Sequence, residues 1–295
     1  MTAISREDMA GGAPAAAAPG FVREAVRRHP TMVLGGAILL AAAFVALAAP
    51  YLGTVDPQAL SPIRRLKPPS EQYWFGTDML GRDLYSRTIY GTRVSLIVGF
   101  GVAFLSTAVG LAIGLVTGLN RVADAIVMRV MDGLMAIPSV LLAIALMALT
   151  RASLGNVVFA ITVAEVPRVT RLVRGVVLTL RERPFVEAAV ASGTGFFRLL
   201  SRHILPNTVA PVLVQGTYIC ASAMITEAIL SFIGAGTPPN IPSWGNVMAD
   251  GRSLFQVAPY LVIFPAIFLS LTVLAVNLVG DGLRDALDPR LARRM

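Results

Sequence analysis

Chemistry in an apolar chain would sit on its few ionisable residues, and here Asp132, Glu165 and Glu227 interrupt or edge long apolar runs. A charge inside lipid is costly, so each must face protein, water or a headgroup region. Glu227 lies deepest. It either lines a polar path for a solute or anchors a neighbouring helix by a hydrogen bond. Glu165 stands three residues before Arg168, and Asp132 three after Arg129. Both spacings put opposite charges on one helical face and read as structural pairs. Nucleotide hydrolysis is not encoded. A P-loop needs Gly-x4-Gly-Lys-Ser/Thr, and the chain's one lysine, Lys67, lies in Arg64-Arg65-Leu66-Lys67-Pro68-Pro69 with no glycine placed before it. Two histidines, His29 and His203, and one cysteine, Cys220, make neither a metal cluster nor a disulfide. No catalytic residue, metal site or resident cofactor is expected, so energy for any transport comes from another polypeptide or an ion gradient.

A different constellation lies between Pro167 and Pro206, which holds seven arginines and two acids, Glu182 and Glu187. Pro184 suits the first position of a helix, where its missing N–H costs nothing. Glu187 then falls in the first turn, where a negative charge complements the helix dipole. Phe185, Ala188 and Ala189 share one face, and Gly193 and Gly195 stop the helix. A second short helix is expected from Phe196 to His203, ended by Pro206, with Phe196, Phe197 and Leu200 as apolar anchors. Such a helix–Gly–helix segment either lies on a lipid surface or docks on another protein.

The surrounding elements are membrane spans. Of 295 residues, 55% are hydrophobic and 14% charged, against about 25% charged in soluble domains; mean hydropathy is +0.70. A spanning helix needs about 20 apolar residues. Six are expected: within Thr31–Val55 ending near Pro50, Val94–Asn120, Gly133–Thr150, Ala152–Ala164, Ile204–Ile233 and within Ser253–Gly280. Pro138 would kink the third. The outer loop Gly234–Gly251 holds Trp244, either as an interfacial anchor or as part of a lid. Residues 1–28 read as a disordered tail, 29–93 as the first span with a long outer loop, 94–280 as a five-helix core, and 281–295 as a second tail. With both termini inside, 17 of the 25 basic residues face the cytoplasm, as the positive-inside rule asks. Six of the rest crowd the loop between the first two spans, against that rule. The net charge of +8 thus reflects arginines at a membrane face rather than nucleic-acid binding.

Glu187-Ala188-Ala189, Gly193 and Leu205-Pro206 resemble the EAA motif of bacterial ABC importer permeases, with His203 standing where an Ile is usual and Ile204 beside it. Further motifs are Phe75-Gly76-Thr77-Asp78, Leu80-Gly81-Arg82-Asp83, Leu230-Ser231-Phe232-Ile233-Gly234, Pro242-Ser243-Trp244-Gly245 and Gly280-Asp281-Gly282-Leu283-Arg284-Asp285. Together they resemble the C-type subunit of the dipeptide/oligopeptide/nickel permease family. The resemblance implies an all-α, MetI-like type I importer permease in the bacterial inner membrane. It implies a B-type permease partner, two cytoplasmic ATPase subunits that hold ATP and Mg2+, and a periplasmic solute-binding protein. A short peptide is the implied cargo, with nickel or another small solute as the alternative. Glu187, Ala188, Ala189, Gly193, Phe196, Phe197, Leu205 and Pro206 would form the coupling segment. Glu227, Pro138 and Trp244 are the candidates for the pathway or its gate.

Overall fold

A computed structural model describes residues 30–287; the two expected tails, apart from residues 281–287, fall outside this range. Helix α1, Pro30–Ala48, ends in a 3-10 turn through Tyr51. An ordered loop leads to α2, Leu84–Leu119. Asn120 then starts α3, Arg121–Met135, by accepting hydrogen bonds from the amides of Val122 and Ala123. After a sharp break come α4, Ser139–Ala148, and α5, Leu154–Arg181. Two short helices follow, α6 at Pro184–Ala191 and α7 at Phe196–Leu199. Then come α8, Leu205–Phe232, the short α9, Trp244–Gly251, and α10, Tyr260–Leu287.

Among the described residues, four helical stretches are long and apolar enough to cross a membrane: Pro30–Tyr51, Leu84–Leu119, Phe196–Phe232 and Tyr260–Leu287. The α3–α4 pair makes a fifth only as two pieces bent by 89°. Six crossings are compatible with this arrangement when α5 also spans. That helix has the length but carries Glu165, Arg168, Arg171, Arg174 and Arg181.

Several boundaries differ from those expected. The second span begins at Leu84, not Val94, because Asp83 caps it by accepting from the Ser86 amide at 2.8 Å. Its polar first turns are buried against protein, Ser86, Arg87, Thr88 and Thr92 among them. The third expected span is broken before Pro138. Proline biases its predecessor away from helix, and α4 keeps only 10 residues, about 15 Å of rise. The fourth does not stop at Glu165. It runs through Pro167 to Arg181, since Val166, Val169 and Val173 on either side are buried; a proline in a packed membrane helix is tolerated when neighbours satisfy the freed carbonyl. The sixth begins at Tyr260, after Pro259, and continues to Leu287.

The heart of the packing is α2 against α5. Gly110, Gly114 and Gly118 of α2 meet Val169, Val173 and Val177 of α5 in matching order, so the two helices run parallel. A Cβ added at Gly114 would lie 2.6 Å from the Val173 Cβ, inside any real contact distance. Small residues at four-residue spacing let backbones approach where no hydrophobic force from water drives association.

Candidate coupling site

The segment between α5 and α8 is built as a rigid outcrop. Pro184 opens α6, and Glu187 occupies its first turn. Gly193 closes it with φ +74. The Gly193 amide donates to Val190 O at 2.9 Å and the Thr194 amide to Ala189 O at 3.0 Å. This pair of bonds is the Schellman closure, which satisfies the last helix carbonyls and demands a left-handed residue. The expected stop at Pro206 does not occur. Residues Leu200–Ile204 form a π turn whose Leu205 amide reaches back to Leu200 O. The widened turn carries α7 into α8, and Pro206 sits in the first turn of α8, where no donor is missed.

The outcrop is fixed from below by two apolar side chains. Val186 is 3% exposed and Ile204 fully buried. Above them Phe185, Val190 and Phe196 are exposed, and Phe197 is 81% exposed. Ile204, beside His203, thus supplies the buried bulk, while the His203 ring lies 6.4 Å from that of Phe185. Glu187 is exposed, and its carboxylate forms no hydrogen bond or ion pair with any described residue. It borders a recess of about 490 Å3 with Arg181, Val190, Phe196 and Leu199. A second recess, about 460 Å3, shares Phe196 and Leu119 and extends to Val122. The sequence candidates therefore divide. Glu187 and Phe196 meet at one recess, and Phe197 projects outward. Ala188 and Ala189 lie on α6, Gly193 shapes the turn, and Leu205 and Pro206 begin α8. An apolar surface around one free carboxylate can receive a protein partner that offers a cation and apolar side chains.

The pathway candidates do not converge. Pro138 stands exposed at the α3–α4 break. Glu227 is fully buried, and its Oε1 accepts from Ser231 Oγ at 2.8 Å. The hydroxyls continue as a chain. Ser231 Oγ lies 3.1 Å from Thr237 Oγ1, which donates to Ser243 Oγ at 3.3 Å. Asn246 Nδ2 closes the network on Thr237 Oγ1 at 2.9 Å and Ile241 O at 3.0 Å. The loop 234–243 is thereby stitched to α8. Trp244 corrects the expectation of an interfacial anchor. It is fully buried, with its indole N–H donating to Thr88 O at 3.0 Å. Asp132 pairs with Arg171 at 2.6 Å, not with Arg129, because α5 passes alongside α3. Glu165 does pair with Arg168, at 2.8 Å.

One cluster escaped sequence reasoning. Asp78, Arg82, Arg87 and Asp250 form a charge-balanced square in which the first three are buried and Asp250 is partly exposed. Arg87 Nη1 donates to Asp78 Oδ2 at 2.6 Å and Asp250 Oδ2 at 2.7 Å; Arg82 reaches the same two oxygens at 2.6 and 2.7 Å. It joins the loop before α2 to α9. It also takes up part of the basic surplus between the first two spans. Arg82 and Arg87 are neutralised within the fold, and Arg93 donates to carbonyls at the end of α1, Ala46 O and Leu47 O. The available signal was the pairing of Asp78 and Arg82 within two adjacent motifs.

Comparison with known proteins supplies the frame for these parts. Residues 107–293 match the family model described as binding-protein-dependent transport system inner membrane component. The chain belongs to that family. It is 53% identical over 286 residues to a probable peptide ABC transporter permease protein of Sinorhizobium fredii, covering 97% of each chain. It is 40% identical to the dipeptide transport system permease protein of Alkalihalophilus pseudofirmus, over 90% of this chain and 88% of that one. Among solved structures, the inward-facing MetNI methionine ABC transporter shares the fold, with a TM-score of 0.55 at 18% identity, covering 70% of this chain and 98% of its own. The chain is thus a multi-pass permease subunit of an ABC importer, with a MetI-like helical fold.

Proposed function

We propose that this permease forms half of a translocation pathway for short peptides and that its segment from Glu187 to Pro206 couples the pathway to ATP hydrolysis. The cargo reading rests on relatives named for peptide and dipeptide transport. The coupling reading rests chiefly on one observation: a rigid, capped outcrop that exposes phenylalanines around a carboxylate with no partner among the described residues. The partners that fit are a B-type permease, two ATPase subunits holding ATP and Mg2+, and an extracytoplasmic binding protein that delivers the peptide. ATP binding closes the ATPase pair and displaces the docked segment, and α5 and α8, which flank it, carry the displacement into the membrane. Glu187 meets a basic residue on the ATPase, and Phe196 and Phe197 fill apolar hollows there.

The test is uptake of labelled dipeptide into vesicles holding the assembled transporter. Glu187→Arg replaces a needed carboxylate by a like charge at the contact. Uptake should fall to background while the protein inserts in normal amount. Normal uptake by that variant would remove Glu187 from the coupling role.

A further inference from the structure

Helix α5 is the mechanical neighbour of the coupling segment, since only Glu182 and Arg183 separate it from α6. That joint is stiff. The Arg183 amide donates to Leu180 O at 3.1 Å, and the Val186 and Glu187 amides donate to Arg183 O at 2.9 and 3.1 Å. A push on α6 therefore arrives at α5. What α5 then moves depends on what is fastened to it.

Beyond Arg168 it carries three more arginines, and each reaches a different attachment. Arg181 Nη1 donates to Gly118 O at 3.0 Å, one of the carbonyls left unpaired at the end of α2. Arg174 grips Asp124 of α3 with two parallel bonds, from Nε to Oδ1 and from Nη2 to Oδ2 at 2.7 Å. Arg171 meets Asp132 of α3 at 2.6 Å. These last two are the ion pairs between α3 and α5 among the described residues. They differ in weight. Both partners of Arg171–Asp132 are at least half exposed, and such pairs contribute little. Arg174–Asp124 is mostly shielded and two-pronged, the geometry in which guanidinium–carboxylate bonds are strong and directional. The glycine–valine contact already binds α2 to α5. Among the described residues no comparable interlock joins α3, whose Val122, Ile126 and Val130 are exposed.

We infer that Arg174 and Asp124, supported by Arg181, are positioning residues for energy coupling. They lock α3 and α2 to α5, so that these helices move as one body with the coupling segment. The movement is then taken up at the 89° break before Pro138, where α3 hands over to α4. This inference rests on the docking role proposed for Glu187 to Pro206.

The experiment uses the whole transporter in proteoliposomes, with peptide uptake and ATP hydrolysis measured on the same sample. Absence of ATP-driven uptake by the unaltered complex would overturn the proposed function itself. Given that uptake, Arg174→Gln and Asp124→Asn should lower peptide transported per ATP by about tenfold, within the range of site-to-site coupling. The exchanged pair Asp124→Arg/Arg174→Asp should recover most of it, the non-additivity expected of a direct contact. An unchanged ratio in well-inserted single variants, or no recovery in the exchange, would overturn the inference. A second arm does not depend on removing the pair. In a Cys220→Ala background, Asp124→Cys/Arg174→Cys bridged by a short bismaleimide should keep transporting, because the helices move together. Arrest of transport by the bridge would show that they must separate, and the locked body would be wrong.

Discussion

Gly193 offers the most direct measurement of how much the coupling segment's shape matters. Its φ of +74 lies in the left-handed region, and a Cβ placed there would meet nothing within 4 Å. A substitution therefore changes backbone energy alone and leaves the neighbouring side chains undisturbed. An L-residue in this conformation costs roughly 1–2 kcal/mol. If that cost falls on the docked geometry, affinity for the ATPase drops by a factor of roughly 5 to 30. Gly193→Ala reads this cost most simply. Gly193→Val adds the worse left-handed strain of a branched side chain, and Gly193→Asn recovers part, since asparagine enters this region more readily. The assay is equilibrium binding of labelled ATPase subunit to the permease pair in nanodiscs, with affinities ordered Gly, Asn, Ala, Val. Two results would refute the reasoning: Ala equal to Gly, or Asn no better than Val. The first would mean that the turn reshapes at no cost, the second that bulk and not φ decides.

Two further outcomes follow from the packing. Arg87→Leu leaves the Asp78 carboxylate, 1% exposed, sharing a single arginine, and should destabilise the outer end by about 3 kcal/mol. Adding Asp78→Asn restores charge balance, so thermal denaturation of the double variant should begin at a temperature no lower than for Arg87→Leu alone. Gly114→Leu drives a side chain into Val173 and should cost about 1–3 kcal/mol, seen as loss of monodisperse protein on heating, whereas Gly133→Ala, with open space around it, should be silent.

What was legible in the sequence, and what was not, follows from the range of the forces involved. The shape of the candidate coupling segment was legible because its determinants are local. Pro184 at a helix start, Glu187 in the first turn and Gly193 at the close each act within one or two turns of the chain, and each stands where the spacing put it. The existence of apolar spans was legible for the same reason, being a property of a window. The failures lie where a distant partner overrides the local rule. Arg87 and Asp78 make Leu84 rather than Val94 the start of α2, because a charge pair satisfied inside protein removes the reason for the helix to wait for an uncharged run. Pro167 does not end α5, because α2 holds both sides of it. Asp132 ignores Arg129 and takes Arg171, which no spacing along one helix could foretell. Trp244 is the sharpest case. An indole in a Gly- and Pro-rich loop suggests a membrane interface, but Gly91 opposite it leaves room for the ring, with a Cβ there only 3.0 Å from Trp244 Cδ1. The tryptophan therefore enters the protein and donates to Thr88 O. In a chain this apolar, hydrophobicity cannot separate lipid-facing from protein-facing residues. The information lies instead in small residues and paired charges, which are visible in the sequence but whose partners are not.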